Sequence, residues 1–435
     1  MKTPSSFAAP HDSPLDMAIP NPLSPALPGA LGTAHEVKLP PMPRKARMVL
    51  HLLRRLAVGS LQLTLPQGQV LHFGHGEPSA RIVLKNYEVF EQALASGDIG
   101  FAQTYIDGDW EADSLIAVLD LMVANRALIE RAVYGSWWGQ WVYRLQHWLN
   151  RNTKAGARRN IHAHYDLGNA FYKLWLDPTM TYSSALFDSL DNPPSEQDLS
   201  AAQNAKYQRI LDELGASGGA QRRILEIGCG WGGFAELAAK QGAHVTGLTL
   251  STEQLDFARQ RLSKAGLGSQ VDFVLRDYRD ERQRYDAIVS IEMFEAVGES
   301  YWSSYFECLK RSLAPEGTAV VQTITIDESL FERYRKSTDF IQQFIFPGGM
   351  LPSATRFSEL AQAHGLKVTN QFRFGQHYAH TLRLWREAFT RKQLAIRAQG
   401  FDEAFMRTWE FYLVYCEAAF RHGNTDVMQV SLRHA

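Results

Sequence analysis

The stretch SIEMFEAVG, residues 290–298, places Glu292 and Glu295 directly after the apolar run YDAIVSI. A carboxylate leaving a buried strand loses hydration worth several kcal/mol unless it is paired, protonated or set against a positive charge. Such a group suits the steadying of a cation or the removal of a proton. A second chemical stretch, LEIGCGWGG, supplies Gly228, Gly230, Gly232 and Gly233 between a strand pattern and a helix pattern. These glycines let the backbone turn tightly and approach a ligand closely.

The glycines satisfy G-x-G-x-x-G, so a dinucleotide site is one reading. A nicotinamide site wants an acid about twenty residues further on, to hold the ribose hydroxyls. Here that strand ends in Thr249, with Ser251 behind it, and the acid precedes the glycines as Glu226. This order is the usual one for S-adenosylmethionine (SAM), and we expect a SAM pocket.

From residue 222 the patterns alternate. RRILEIGCG, AHVTGLTL, VDFVLRDY, YDAIVSI and EGTAVVQTITI read as strands; FAELAAKQG, STEQLDFARQRLSKAG and YWSSYFECLKRSLAP read as helices. The alternation predicts an α/β fold with a doubly wound, Rossmann-like sheet, whose ligands bind at the carboxyl ends of the strands. The glycine turn, LTLSTEQ, RDYRD and IEMFEAVG all fall there. Upstream, residues 1–45 hold ten of the eighteen prolines without a sustained period and read as a disordered arm. Residues 46–130 read as a small α+β domain: MVLHLLRRL is helical, LQLTLPQGQVLHF alternates around a turn, ARIVLKN is a strand, and two helices separated by Gly/Asp-rich turns follow. Residues 131–163 form a basic linker rich in tryptophan, with Trp137, Trp138, Trp141 and Trp148 and no acidic residue. That mixture suits a lipid headgroup layer or the packing of a linker helix on the next domain. Residues 164–435 form the catalytic domain.

A net charge of −1 gives no support for a nucleic-acid partner. Cys229, Cys308 and Cys416 form neither a disulfide framework nor a metal-ligand pattern, so no metal is expected and a cytoplasmic location fits. No apolar leader follows Met1-Lys2 and no run of about 18 apolar residues occurs, so any membrane contact is expected to be peripheral.

HYDLGNAFYKLWLDPTMTYSSALF (164–187), LEIGCGWGG, LTLSTEQ, RDYRD, MFEAVG, FIFPGGMLPS (344–353) and FGQHYAHTLRLW (374–385) stand in the order and spacing of the cyclopropane fatty acid synthases. The resemblance runs from about residue 50 to 432, since LASGDIGFAQTYIDGDW is similar to that family's amino-terminal domain. It implies a class I SAM methyltransferase domain that passes a methyl group to the cis double bond of an acyl chain in a phospholipid. SAM would be held by Tyr182 and Ser183, by Glu226, Gly228, Gly230 and Gly232, by Thr249 and Gln254, and by Tyr278 near the adenine. The resemblance also implies a bicarbonate base, gripped by Glu295, Tyr378, the backbone amide of Ile324, and the positions of Ser184 and Gln322. The family often has cysteine and histidine at those last two places. Serine and glutamine can still hydrogen-bond an anion, but neither can do what a thiol or an imidazole does.

Cyclopropane formation is the first expected product. A methylene- or methyl-branched chain is the second, because the base site is altered. Cys416 joins the catalytic candidates as the match to a cysteine once suspected as the family's nucleophile, although methyl transfer to an alkene needs no covalent enzyme intermediate and a helical core thiol is the simpler reading. Glu292 is expected to pair locally, since two carboxylates in one dry pocket oppose each other's ionisation. His164 is expected to shape the pocket, and Phe346 and Met350 to line an acyl site or join the core. The implied partners are unsaturated phospholipids on the inner face of the membrane, with a homodimer possible.

Overall fold

The computed structural model describes residues 40–133, 167–217 and 221–435. Most of the proline-rich arm, the four clustered tryptophans and His164 lie outside these residues. Alternating apolar positions fold three early segments as strands with one buried face. β1 (Gly59–Thr64) pairs antiparallel with β2 (Val70–His75) and parallel with β3 (Ser79–Leu84). β4 (Trp110–Ala112) completes a sheet of order β2-β1-β3-β4, inside a segment expected to be only a turn. The amphipathic helix expected near Met48 spans Arg44–Leu53 and begins within the segment read as the arm. The helix Glu88–Ile106 is broken at Gly97, where φ is 64°, within the Gly/Asp-rich turn read from the sequence.

The second sheet has seven strands in the order β10-β11-β9-β8-β5-β6-β7. Its parallel part is β5 (Arg223–Ile227), β6 (His244–Thr249), β7 (Val271–Leu275), β8 (Tyr285–Ile291) and β9 (Leu313–Ile326). To these five expected strands the structure adds β10 (Leu366–Arg373) and β11 (Thr425–His434), with β11 antiparallel between β9 and β10. β8 starts opposite Leu313 and then slips in register, so Ala287 faces Thr318 and Ile291 faces Gln322. That slip sets which β9 side chains stand beside the end of β8.

The loop after β8 is anchored by Phe294, whose ring lies 4.9–5.7 Å from those of Trp302, Tyr305, Phe306 and Phe357. An aromatic cluster of this kind fixes a short loop that has no ladder to hold it. The helix Glu403–Arg421 packs on both the small sheet's helices and the helix Gly375–Arg391. Tyr105 donates to Glu410 at 2.9 Å, Tyr415 donates to Asp98 at 2.8 Å, and Arg386 pairs with the buried Glu417 at 2.7 Å. Removing one member of a buried ion pair strands the other. Arg386→Ala is therefore expected to cost about 3 kcal/mol in urea unfolding, the low end of the usual range, because Arg421 remains 3.8 Å from Glu417.

Candidate active site

The carboxyl ends of β5, β6, β8 and β9 open on one cavity. At its nucleoside end the chain leaves β5 through Gly228 (φ 84°), Gly230 (φ 50°) and Gly232 (φ 80°). A Cβ on Gly228 would stand 3.0 Å from Met293, and one on Gly232 3.0 Å from Phe273, so both conformation and space require glycine. Glu226 is 3% exposed and has a carboxylate oxygen without a hydrogen-bond partner among the described residues. Thr249 donates to Gln254 at 3.1 Å across the β6 turn, and Tyr278 packs edge-on to Tyr305. Tyr182, Ser183, Glu226, Gly228, Gly230, Thr249, Gln254 and Tyr278 all face the cavity; Gly232 stands behind its wall. A buried acceptor beside a glycine cradle fits a ribose and its methionyl tail.

Glu292 forms the centre of the other end. It has a φ of 50°, rare for a residue with a side chain. Its own N–H donates to the Gln322 carbonyl at 2.8 Å. Its carboxylate accepts from the Ser184 backbone N–H at 2.9 Å, from Gln322 Nε2 at 2.7 Å and from Tyr378 OH at 2.6 Å. The Gln322 amide is oriented in turn, since its Oε1 accepts from Gln429 Nε2 at 3.0 Å and Gln429 accepts from Arg209 at 2.8 Å. The expectation that Glu292 pairs only locally is corrected: its partners come from residues 108 and 86 positions away in the chain as well as from the adjacent strand.

Glu295 accepts from Thr323 Oγ1 at 3.0 Å and from the backbone N–H of Ile324, while its other oxygen has no partner among the described residues. Of the five groups that the resemblance assigned to bicarbonate, Glu295 is one, and the residues of the other four donate to the two glutamates, Ser184 through its backbone N–H while its hydroxyl donates to the Ala185 carbonyl. Ser184, Gln322 and Tyr378 bind Glu292, and Ile324 binds Glu295. The residues present do not fit an additional anion, because it would meet two carboxyl groups and find its donors taken. Burial raises the Glu292 carboxyl, opposed by Lys206, Tyr378, Ser184 and Gln322. Burial and then the charge of Glu292 push Glu295 up to about 8, so at neutral pH it is mainly protonated. The expected mutual opposition of two carboxyl groups exists: after burial, the charge of Glu292 is the next influence raising Glu295.

Cys416 lines the cavity, but burial drives its thiol pKa upward and Asp339 adds to this. A buried thiol of raised pKa suits the simpler reading of a helical core cysteine. Apolar lining comes from Ile341, Phe346, Met350, Leu382 and Phe420. The FPGGMLPS loop closes against Glu295: Met350 N–H donates to the Glu295 carbonyl at 2.8 Å, and a Cβ on Gly349 would stand 3.2 Å from that oxygen. Met350, at 5% exposure, serves both cavity wall and core. Lys206 and Asp339 were not found from the sequence; the signal for Lys206 is an isolated cation among the apolar positions of its helix.

A seven-stranded sheet with an antiparallel β11, a glycine turn after β5 and an acid ending that strand define a class I SAM-dependent methyltransferase fold. The family model for mycolic acid cyclopropane synthetase matches residues 152–430. Over 350 residues the chain is 41% identical to the tuberculostearic acid methyltransferase UfaA1 of Mycobacterium tuberculosis, covering 77% of this chain and 79% of that one. It is 34% identical to the cyclopropane-fatty-acyl-phospholipid synthase of Escherichia coli, covering 82% and 88%. Among solved structures, the mycolic acid cyclopropane synthase CmaA1 complexed with SAH and CTAB matches at 33% identity and a TM-score of 0.58, covering 63% of this chain and 97% of that one. The chain belongs to the mycolic acid cyclopropane synthetase family and is a SAM-dependent fatty acid methyltransferase of the cyclopropane fatty acid synthase type.

Glu226→Ala removes the buried acceptor at the end of β5. SAM affinity measured by calorimetry is expected to fall by about 10-fold, the scale of a hydrogen bond, with the melting temperature held or raised because a buried carboxyl group with an unpartnered oxygen is lost.

Proposed function

We propose that the protein methylates the cis double bond of an unsaturated acyl chain in a phospholipid, that Glu292 accepts the proton released, and that the product is a methylene-branched chain. The observation carrying this reading is the Glu292 carboxylate, bound to Gln322 and Tyr378, two side chains at positions that the resemblance assigned to a bicarbonate base, and to the backbone N–H of Ser184. A carboxylate fixed by the fold does the work of a diffusible one. Among the described residues no helix is long and apolar enough to cross a membrane, so the acyl chain would be reached from the bilayer surface.

SAM, when bound, supplies an electrophilic methyl group. Glu226 and the glycine turn would hold its nucleoside, and the apolar wall from Ile341 to Phe420 would align the alkene and exclude water, which a weak nucleophile needs. The π pair of the acyl chain forms the new C–C bond while the C–S pair leaves with sulfur. An electron-deficient chain carbon then sits beside the methyl-bearing one. If hydrogen migrates to it with its electron pair, a methyl C–H pair becomes the new C=C bond and the proton passes to Glu292. Without migration the same C–H pair closes a three-membered ring. One base therefore serves both outcomes, and the lifetime of the electron-deficient carbon decides between them.

Three hydrogen bonds and Lys206 lower the proton affinity of Glu292 from where burial alone would set it. Slower proton capture favours migration. The 41% identical relative is named for tuberculostearic acid, a methyl-branched product, which also supports the open chain. A saturated branch would need a further two-electron reduction. Cyclopropane formation is the second reading, supported by the 34% identical synthase.

The test is expression in a bacterium that lacks such an enzyme, fed labelled methionine, with proton NMR of the fatty acids. Exocyclic olefinic signals support the proposal, upfield ring-methylene signals support the second reading, and absence of labelled lipid defeats both. Turnover is expected to rise with pH as Glu292 loses its proton, with a midpoint above the ordinary carboxyl value of 4.5. Glu292→Gln is expected to keep SAM binding and lose at least about a hundredfold in turnover, the usual scale for an acid-base group. Stimulation of the wild-type enzyme by added bicarbonate would count against Glu292 as the base.

A further inference from the structure

Lys206 lies on the helix Glu196–Glu213, is 0% exposed, and belongs to neither the cofactor set nor the acyl wall. A buried ammonium is costly unless it is bound on every side. Its Nζ donates to Ser183 Oγ at 2.6 Å and to Gln203 Oε1 at 2.7 Å, and stands 4.5 Å from the Tyr207 ring centroid. Gln203 is also fully buried and donates to the Ser183 carbonyl at 2.9 Å. Lys206 and Gln203 thus grip both the side chain and the backbone of Ser183. The next backbone N–H, that of Ser184, is the one donated to Glu292.

We propose that Lys206 is a positioning residue for proton transfer: with Gln203 it fixes the 182–184 segment whose backbone N–H binds Glu292, and it sets a buried cation against that segment. This rests on Glu292 being the base. In the resting site the ammonium and the carboxylate balance each other in a dry environment. When Glu292 takes the substrate proton, Lys206 loses its counter-charge, so the neutral carboxyl is the less favoured state and the proton leaves. Without that ammonium the proton would stay.

The electrostatics agree. Burial lowers the Lys206 ammonium to about 7, with Glu292 and then Asp177 acting the other way, and Lys206 is in turn the largest influence holding the Glu292 carboxyl down. The other titratable groups facing the pair are Tyr378 on the helix Gly375–Arg391, Glu295 on the loop after β8, and Tyr207 on the same helix as Lys206. Asp177 is already bound by Thr179 and Ser200. None of these supplies a positive charge.

The test is the pH dependence of turnover with saturating SAM and lipid. In Lys206→Gln the acid limb is expected to move up by about one pH unit or more, giving roughly tenfold loss near neutrality that recovers at high pH. Lys206→Arg, which keeps the charge, is expected to leave the limb near its wild-type position. A purely structural role would lower turnover equally at all pH values, and that result in folded Lys206→Gln overturns the proposal. A second measurement leaves Lys206 intact: coupling is reciprocal, so the 15N-labelled Lys206 ammonium should titrate lower in Glu292→Gln than in wild type. Identical titration overturns the proposal even if the lysine variants fail to fold. Full turnover in Glu292→Gln would instead defeat the assignment of the base itself.

Discussion

The buried carboxyl of Glu292 has to be solvated by protein, and the active end of the molecule is arranged around that need. A buried carboxylate keeps its charge only when hydrogen bonds and a cation replace the water it has lost. Here the replacement comes from the 182–184 segment, from β9, from the helix Gly375–Arg391 and from Lys206. The β8–β9 register brings Gln322 opposite Ile291, so its amide reaches Glu292 and its carbonyl accepts the Glu292 N–H. A left-handed backbone at Glu292 then turns the side chain toward these donors. Strain at one residue is offset by four contacts that converge on it.

The small sheet contributes to the far wall of the same cavity. Gly97 breaks the helix Glu88–Ile106, and Asp98 then accepts from Tyr415 and from the Phe340 backbone. Phe340 follows Asp339, which faces the cavity and whose carboxyl is pushed up to about 7 by burial and by Asp98. At neutral pH this pair holds less than two full charges, which suits an apolar chain nearby. The helix Glu403–Arg421 carries the linkage, because Tyr415 touches Asp98 while its neighbour Cys416 lines the cavity.

The parallel strands and the glycine turn were legible in the sequence, because each is local: a β-run, a glycine conformation and a helix lie within about ten residues of one another. Glu226 was legible for the same reason. β10 and β11 were not, since a carboxyl-terminal antiparallel pair depends on partners far along the chain. The partners of Glu292 were not legible either: two carboxylates do oppose each other's ionisation, but the donors to Glu292 lie 30 to 108 residues away. Lys206 was passed over because one cation in a helix is ordinarily solvent-facing.

The glutamine that stands where the family often has histidine now has a physical reading. What Glu292 asks of its neighbours is hydrogen-bond donation without competition for the proton. A backbone N–H at Ser184 and a primary amide at Gln322 donate at any pH near neutrality and cannot accept a proton there. An imidazole in place of Gln322 could take up a proton itself near neutrality. Gln429 completes the arrangement by fixing the amide oxygen of Gln322, so that its NH2 group faces Glu292. Gln322 and Glu292 are thus parts of one electrostatic arrangement, whereas position 184 contributes a backbone N–H that a cysteine would also supply and turns its hydroxyl to the Ala185 carbonyl at 3.1 Å.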